Sequence, residues 1–362
     1  MPLIVKGPVP PRWKEREASR LALLDSVTQS ECLRLALINN MPDSALEDTE
    51  LQFFELLDDA SGDIPVLLKL YSMTGVPRAA LGQRHLNSFY FGLGDLWLSR
   101  TDGMIVTGTE PHHPNLRDEP YWALMTQLFD WAERNTNSTI LSCLAAHASV
   151  LHGDGIQRHP LAQKRFGVYE SPVASDHGLM RNAASLLRFP HSRWNEVREN
   201  ELIAAGYVVL TKSVEAGVDL FVKKKQKSLF VHFQGHPEYG AYTLAKEYRR
   251  DVKRFLRAER PSYPSLPDGY FDEAASQLLN SFRANALLDR REELMNAFPD
   301  EVIDRLQKTW QASAKCIYSN WLEYLVSARA EQPAFNSIAA APAHTQRSQA
   351  AKAIGATFPS GS

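Results

Sequence analysis

The chain has 362 residues, with 40 lysines and arginines against 42 aspartates and glutamates, and three cysteines. That length is ample for one large or two modest domains whose core needs no disulfide staples, and a formal net charge of -2 provides no global attraction to nucleic acid or anionic lipid. Cys32, Cys143 and Cys316 lie far apart without the C-x-x-C spacing or His cluster of a zinc site, which excludes an obvious metal site and is the cysteine usage of a reducing compartment.

Met1 to Glu17 is rich in proline and charge rather than built like a signal peptide, and no apolar run approaches membrane-spanning length, so a cytoplasmic protein with no membrane partner is expected. Residues 1–30 read as an N-terminal arm, with four prolines in the first eleven positions and a mixed helical stretch from Trp13 to Ser26. Leu33 to Ile38 predicts a strand that stops at the turn Asn39-Asn40-Met41-Pro42-Asp43. A helix beginning near Ala45 follows, its buried face carrying Leu51, Phe53, Phe54, Leu56 and Leu57. Val66 to Tyr71 is a second strand. Gly103 to Val106 is a third, and it empties into Thr107-Gly108-Thr109-Glu110-Pro111, a loop where backbone can approach a ligand closely. Tyr121 to Arg134 has Trp122, Met125, Leu128, Phe129 and Ala132 at helical spacing.

Asn137 to Gly153 comes next: the apolar run Thr139-Ile140-Leu141 ends at Ser142-Cys143, and the small residues Ala145, Ala146, Ala148 and Ser149 continue as a helix. This repeated alternation predicts an α/β fold with a mainly parallel sheet and helices on both faces, its site beyond the carboxyl ends of the strands. The stretch from Gly153 to Phe166 reads as a polar connection, Gly167 to Glu170 as the start of a strand, and Phe189 to Arg193 as a polar turn. Tyr207 to Leu210 and Val218 to Val222 read as antiparallel strands. Lys223 to Lys227 is a basic cluster at a hairpin tip, read as a solvated loop rather than a nucleic-acid patch. Ser228 to Phe233 is the last strong strand and runs into Gln234-Gly235-His236-Pro237-Glu238-Tyr239, with a helix from Thr243 through Phe255. Pro261, Pro264 and Pro267 form a linker closing an α/β domain over 31–267. Residues 268–309 read as a helical insertion, with Phe271 to Arg290 and Arg291 to Thr309 helical in pattern. Residues 310–328 read as a C-terminal helix packing on the core, and 329–362 as a disordered tail.

Cys143 is the candidate nucleophile. A side chain on a sharp strand-to-helix turn projects away from both elements and sits beside the positive end of the helix, where a thiolate is favoured. A lone cysteine at a strand end is more often core than catalyst, so the assignment depends on a partner. His236 and Glu238, at the end of a later buried strand, supply a base and its orienting carboxylate, and in a parallel sheet both strand ends reach one edge. The amide of Leu144 and an amide from Gly108-Thr109 would bind the oxyanion of a tetrahedral intermediate. The chemistry expected is acyl transfer or hydrolysis through a covalent intermediate, with no metal and no cofactor.

With these residues in hand, the chain resembles the homoserine O-acyltransferases of the class I glutamine amidotransferase-like superfamily, especially the homoserine O-succinyltransferases of methionine biosynthesis. The resemblance rests on LALINNMP at 35–42, GMIVTG at 103–108, the Tyr121-Trp122 pair, the Cys143 turn, KRFGVYE at 164–170, PHSRW at 190–194, GHPEY at 235–239, TLAKEYRRDV at 243–252 and SNWLEYLV at 319–326. It implies a flavodoxin-like sheet and acyl transfer from acyl-CoA, a co-substrate, to the hydroxyl of L-homoserine through an acyl-enzyme on Cys143, with His236 and Glu238 completing the triad. It also implies that Lys164, Ser192 and Arg250 hold the amino acid, and that the molecule is a homodimer. The pattern breaks in two places. Asp43 and Ser44 stand where the family typically has lysines, and His112 stands where glycine marks succinyl donors and glutamate acetyl donors, although a shifted alignment brings in Glu110. A histidine can pair with a succinyl carboxylate, which favours succinyl over acetyl. Acylation of another amino-acid hydroxyl such as serine, or a non-catalytic ligand-binding relative, is the alternative. Glutamine hydrolysis is disfavoured because Ser142-Cys143-Leu144-Ala145 is not a glycine-flanked elbow.

Overall fold

The computed structural model describes residues 3–16, 31–303 and 305–331. Most of the docking helix expected up to Ser26 and the tail beyond Glu331 lie outside the described residues. Apolar runs with buried residues on both faces build an eight-stranded sheet. Its strands, in chain order, are β1 (Leu3–Val5), β2 (Leu33–Ile38), β3 (Val66–Tyr71), β4 (Gly103–Val106), β5 (Ser138–Ser142), β8 (Val208–Val209), β11 (Leu220–Lys225) and β12 (Ser228–Phe233). The spatial order is β1-β3-β2-β4-β5-β12-β11-β8. The first six run parallel, and β11 and β8 add antiparallel pairs at the far edge. The central order β3-β2-β4-β5-β12 is the 2-1-3-4-5 order of a flavodoxin-like sheet, whose switch point lies between β2 and β4. The N-terminal arm thus begins as an edge strand, Leu3 pairing with Val66.

Strand alternation divides the core. On β2, Leu33, Leu35 and Leu37 face one layer and Ala36 and Ile38 the other. The first layer is covered by α1 (Leu46–Ser61) through Phe53, Phe54 and Leu57 and by the C-terminal helix. The short helices α2 (Ala80–Phe89) and α3 (Leu93–Leu98) precede β4. On the second face lies α4 (Trp122–Asn135), with Met125, Leu128, Phe129 and Ala132 buried as their spacing requires. Beside it lies α5 (Leu144–Asp154), which is buried almost all round over its first eight residues.

Between residues 159 and 196 the chain departs from expectation. The polar connection and the polar turn are two strands of one long antiparallel ribbon, β6 (His159–Pro172) and β7 (Leu186–Glu196), with Ser192 opposite Phe166 and Arg193 opposite Arg165. The polar residues of β7 are not at a solvated turn: His191 is fully buried and Arg193 nearly so. The short helix α6 (Glu199–Ala204) precedes β8, and a small hairpin, β9 (Lys212–Ser213) with β10 (Gly217–Val218), closes this region. The lysine cluster is held by acids: Lys223 and Lys225 both reach Asp154.

Helix α7 (Thr243–Leu256) follows β12. Within the insertion, α8 (Glu273–Leu288) forms as expected, but the described residues of 291–309 contain only the 3-10 turns Glu292–Ala297 and Asp300–Val302. Pro299 disfavours helical conformation at Phe298 and interrupts the pattern. This segment packs Leu279, Phe282, Phe298 and Val302 against Tyr248, Val252 and Phe255 of α7, a third small core. Helix α9 (Gln311–Ala330) then crosses the sheet, its Trp321 indole donating to Ser138 Oγ at 2.9 Å. Gly103 is required beneath it, since a Cβ there would stand 2.6 Å from Leu325 Cδ1. Among the described residues, no helix is long and apolar enough to cross a membrane.

Candidate active site

Strands β4, β5 and β12 are neighbours and parallel, so the loops beyond Val106, Ser142 and Phe233 share one edge. Phe233 pairs with Ser142, and the Cys143 amide donates to Phe233 O at 2.8 Å, which fixes the two chemistry-bearing turns relative to each other. Cys143 has φ 52° and ψ -109°. This is a strained conformation for a residue with a Cβ, and the adjoining strand and helix must hold it. Leu144 opens α5, so its N–H has no intrahelical acceptor. Gly108 approaches it closely: a Cβ on Gly108 would lie 3.0 Å from Leu144 N. The Gly108-Thr109 loop and the Leu144 amide therefore border the same space, as the sequence reading required.

His236 is brought within interaction range of Cys143, while its Nδ1 sits 2.8 Å from Glu238 Oε1. Ser142 Oγ donates weakly to the same oxygen at 3.4 Å. The His236 amide donates to Pro190 O at 2.7 Å, and the Tyr239 ring stacks on the imidazole with centroids 4.2 Å apart. Burial by itself lowers the basicity of this imidazole, but Glu238 and Cys143 outweigh it and hold His236 well above the ordinary histidine range. Such a histidine is poised as an imidazolium.

A second cluster adjoins the first through Tyr239. Glu247 of α7, unremarked in the sequence, accepts hydrogen bonds from Tyr239 Oη at 2.9 Å, from Lys164 Nζ at 3.2 Å and from Ser192 Oγ. Arg250, one turn further along α7, has Nη2 4.0 Å from Glu247 and 3.2 Å from Asp251. Burial would raise the Glu247 carboxyl, yet Lys164, Ser192, Arg250 and Tyr239 together hold it below the usual glutamate range. Lys164, Ser192 and Arg250 are thus brought together by three different elements around one carboxylate. A part-buried anion beside a half-exposed guanidinium is the pair of charges that the ammonium and carboxylate of an amino acid require. The i, i+3 spacing of Glu247 and Arg250 was the available sequence signal.

Other residues stand apart from these contacts. The His112 side chain is exposed, and its amide, with that of His113, donates to Glu119 Oε1. Glu110 instead lies within charge range of Arg250. At the turn where lysines were missed, the cation is Arg78: its guanidinium bonds Met41 O, Asp43 Oδ1 and Ser72 Oγ and is almost wholly buried. From the insertion side, Trp310 Nε1 donates to Tyr239 O at 2.9 Å, and Lys308 faces Glu55, Asp59 and Glu238.

A family model described as homoserine O-succinyltransferase matches residues 23–332. Homoserine O-succinyltransferase of Rhodopseudomonas palustris is 42% identical over 304 residues, spanning 84% of this chain and 91% of that protein. The enzyme of that name from Methylorubrum extorquens is 44% identical over 299 residues, 82% of this chain and 88% of its own. A third, from Methylococcus capsulatus, is 35% identical over 330 residues, 89% and 92% of the two chains. Among solved structures, a glutamine amido transferase from Methylobacillus flagellatus is similar with a TM-score of 0.46 at 13% identity, covering 81% of this chain and 95% of that one.

Proposed function

The chain belongs to the homoserine O-succinyltransferase family, and on that premise we propose that it moves a succinyl group from succinyl-CoA to the hydroxyl of L-homoserine, a step of methionine biosynthesis, through an acyl-enzyme on Cys143. The observation that carries the reading is the positive-φ Cys143 turn with His236 beside it, itself held by Glu238. In the first half-reaction the thiolate attacks the thioester carbonyl carbon, a new C–S bond forms, and the C–S bond to CoA breaks as the departing sulfur takes the proton from His236. In the second, the homoserine hydroxyl gives its proton to His236 and attacks the same carbon, and Cys143 leaves as thiolate. The Leu144 amide and the Gly108-Thr109 backbone are aimed at the oxygen that becomes charged in both steps.

For the acceptor, Glu247 takes the ammonium and Arg250 the carboxylate of homoserine, with Lys164 and Ser192 fixing Glu247. No cofactor beyond the acyl-CoA co-substrate enters these steps, and the chain's own side chains carry the chemistry. The same reading places the enzyme in the cytoplasm as a homodimer, which sedimentation of the purified protein tests. Free CoA release with succinyl-CoA and homoserine is the direct assay. Wild-type protein should form a succinyl adduct seen by intact-mass spectrometry, and Cys143→Ala should lose both adduct and transfer. Wild-type protein that releases no CoA with homoserine present, or an adduct that survives in Cys143→Ala, overturns the proposal.

A further inference from the structure

The donor is the open side of this reaction, because His112 is turned to solvent. A succinyl thioester carries a carboxylate two methylenes from its reacting carbonyl, so a site selective for it needs a cation a few ångströms beyond the nucleophile. The candidates near Cys143 can be sorted by what their donors already do. Arg193 spends its guanidinium on His191 Nδ1, Asn195 O and Ala216 O. Lys164 and Arg250 belong to the cluster around Glu247 and Asp251 that is assigned to the acceptor. Arg158 differs from all of these.

Arg158 follows the left-handed Gly155 that ends α5 and turns the chain back toward the site. Only one of its nitrogens, Nη2, has acceptors recorded among the described residues, and both are carbonyls: His113 O at 3.2 Å and Pro114 O at 2.9 Å. Those carbonyls belong to the loop that begins at Gly108 and borders the Leu144 amide. Arg158 also lies within electrostatic range of Cys143, together with Glu119 and Tyr121. Among the described residues Glu119 makes no ion pair with it: Oε1 accepts from the amides of His112 and His113, and Oε2 is buried without a hydrogen-bond partner. Arg158 is thus a half-buried cation tied to the donor loop, within charge range of the nucleophile, with Nε and Nη1 left for a ligand.

We infer that Arg158 is the specificity-determining residue for the donor: Nε and Nη1 bind the distal carboxylate of a succinyl thioester and align its carbonyl on Cys143. The inference rests on Cys143 being the acyl carrier. It explains how the chain accepts a dicarboxylic donor without the family's lysines at Asp43 and Ser44, where Arg78 is already committed to Met41, Asp43 and Ser72.

The test compares succinyl-CoA with butyryl-CoA, a neutral acyl group of the same carbon count, in wild-type, Arg158→Gln and Arg158→Lys enzymes. Glutamine can keep a bond to the His113 or Pro114 carbonyl while removing the charge, which separates recognition from loop collapse. Arg158→Gln should lower kcat/KM for succinyl-CoA roughly 10- to 100-fold, the scale of a charge-assisted hydrogen bond. Butyryl-CoA should change little, the KM for homoserine should hold, and Arg158→Lys should recover part of the loss. Equal losses with both donors, or no loss with succinyl-CoA, overturn the inference. A wild-type enzyme that prefers butyryl- over succinyl-CoA overturns it while leaving the acyl-enzyme chemistry standing. Wild-type protein inert with every acyl-CoA overturns the proposed function itself.

Discussion

Cys143 and Glu247 illustrate two kinds of legibility at the level of single residues. The cysteine announced itself through its surroundings: an apolar strand, an abrupt stop and a run of small residues leave one reactive group at a turn, and its φ of 52° is the backbone cost of that placement. Glu247 gave little sign, because a glutamate on an amphipathic helix is ordinarily solvated. Only the folded chain shows it part-buried and bonded to Tyr239, Lys164 and Ser192. Its assigned partner is the ammonium of the acceptor, so Glu247→Gln should raise the KM for homoserine about 10- to 100-fold. Formation of the acyl adduct from succinyl-CoA alone should proceed at nearly the wild-type rate. Single-turnover measurements separate the two, and an equal fall in adduct formation would refute the assignment.

Elements whose apolar pattern reaches both faces were the easiest to read. Strands β2, β3, β4 and β12 fall where the mostly hydrophobic runs put them, since a strand covered on both sides has little polar face to dilute its signal. The β6–β7 ribbon was opaque for the opposite reason. Much of it is partly exposed, its register shifts between Pro160 and Arg165, and the polar residues His191 and Arg193 are buried by contacts made elsewhere in the chain. The C-terminal helix shows how tightly the layers fit. Gly103 lies beneath Trp321 and Leu325, and an added Cβ would also meet Leu35 Cδ2 at 2.9 Å. Gly103→Ala should therefore destabilise the fold by about 1–3 kcal/mol, read as a lower midpoint in urea with an unchanged m-value. An unchanged midpoint would mean that α9 is loosely seated.

The whole molecule carries a pH signature of its own. His147 and His232 are driven to about 3 by burial, and burial also puts His191 well below its ordinary value, so all three are neutral in the fold. The unfolded chain protonates them near pH 6.5, so stability falls as pH drops through that value, by about 1.4 kcal/mol per pH unit for each. Asp219, raised by burial to about 6, opposes this with one proton between roughly pH 4 and 6. His236 adds no slope in that window, because its raised folded value places its contribution below pH 6.5 and its loss above. Between pH 6 and 5, His232→Gln should remove about 1.4 kcal/mol per pH unit from the slope of unfolding free energy. A slope equal to wild type would show that His232 is not held neutral. At this scale the division between sequence and structure has a physical basis. Hydrophobic periodicity and turn chemistry are local, so the sequence alone determined the parallel α/β order, the strands that end at the candidate site, and Cys143, His236 and Glu238 as its candidate residues. Charge pairing between distant segments depends on where the layers meet. Only the tertiary structure could gather Lys164, Ser192 and Arg250 around Glu247, seat Arg78 at the Asp43 turn and aim Arg158 at the donor loop.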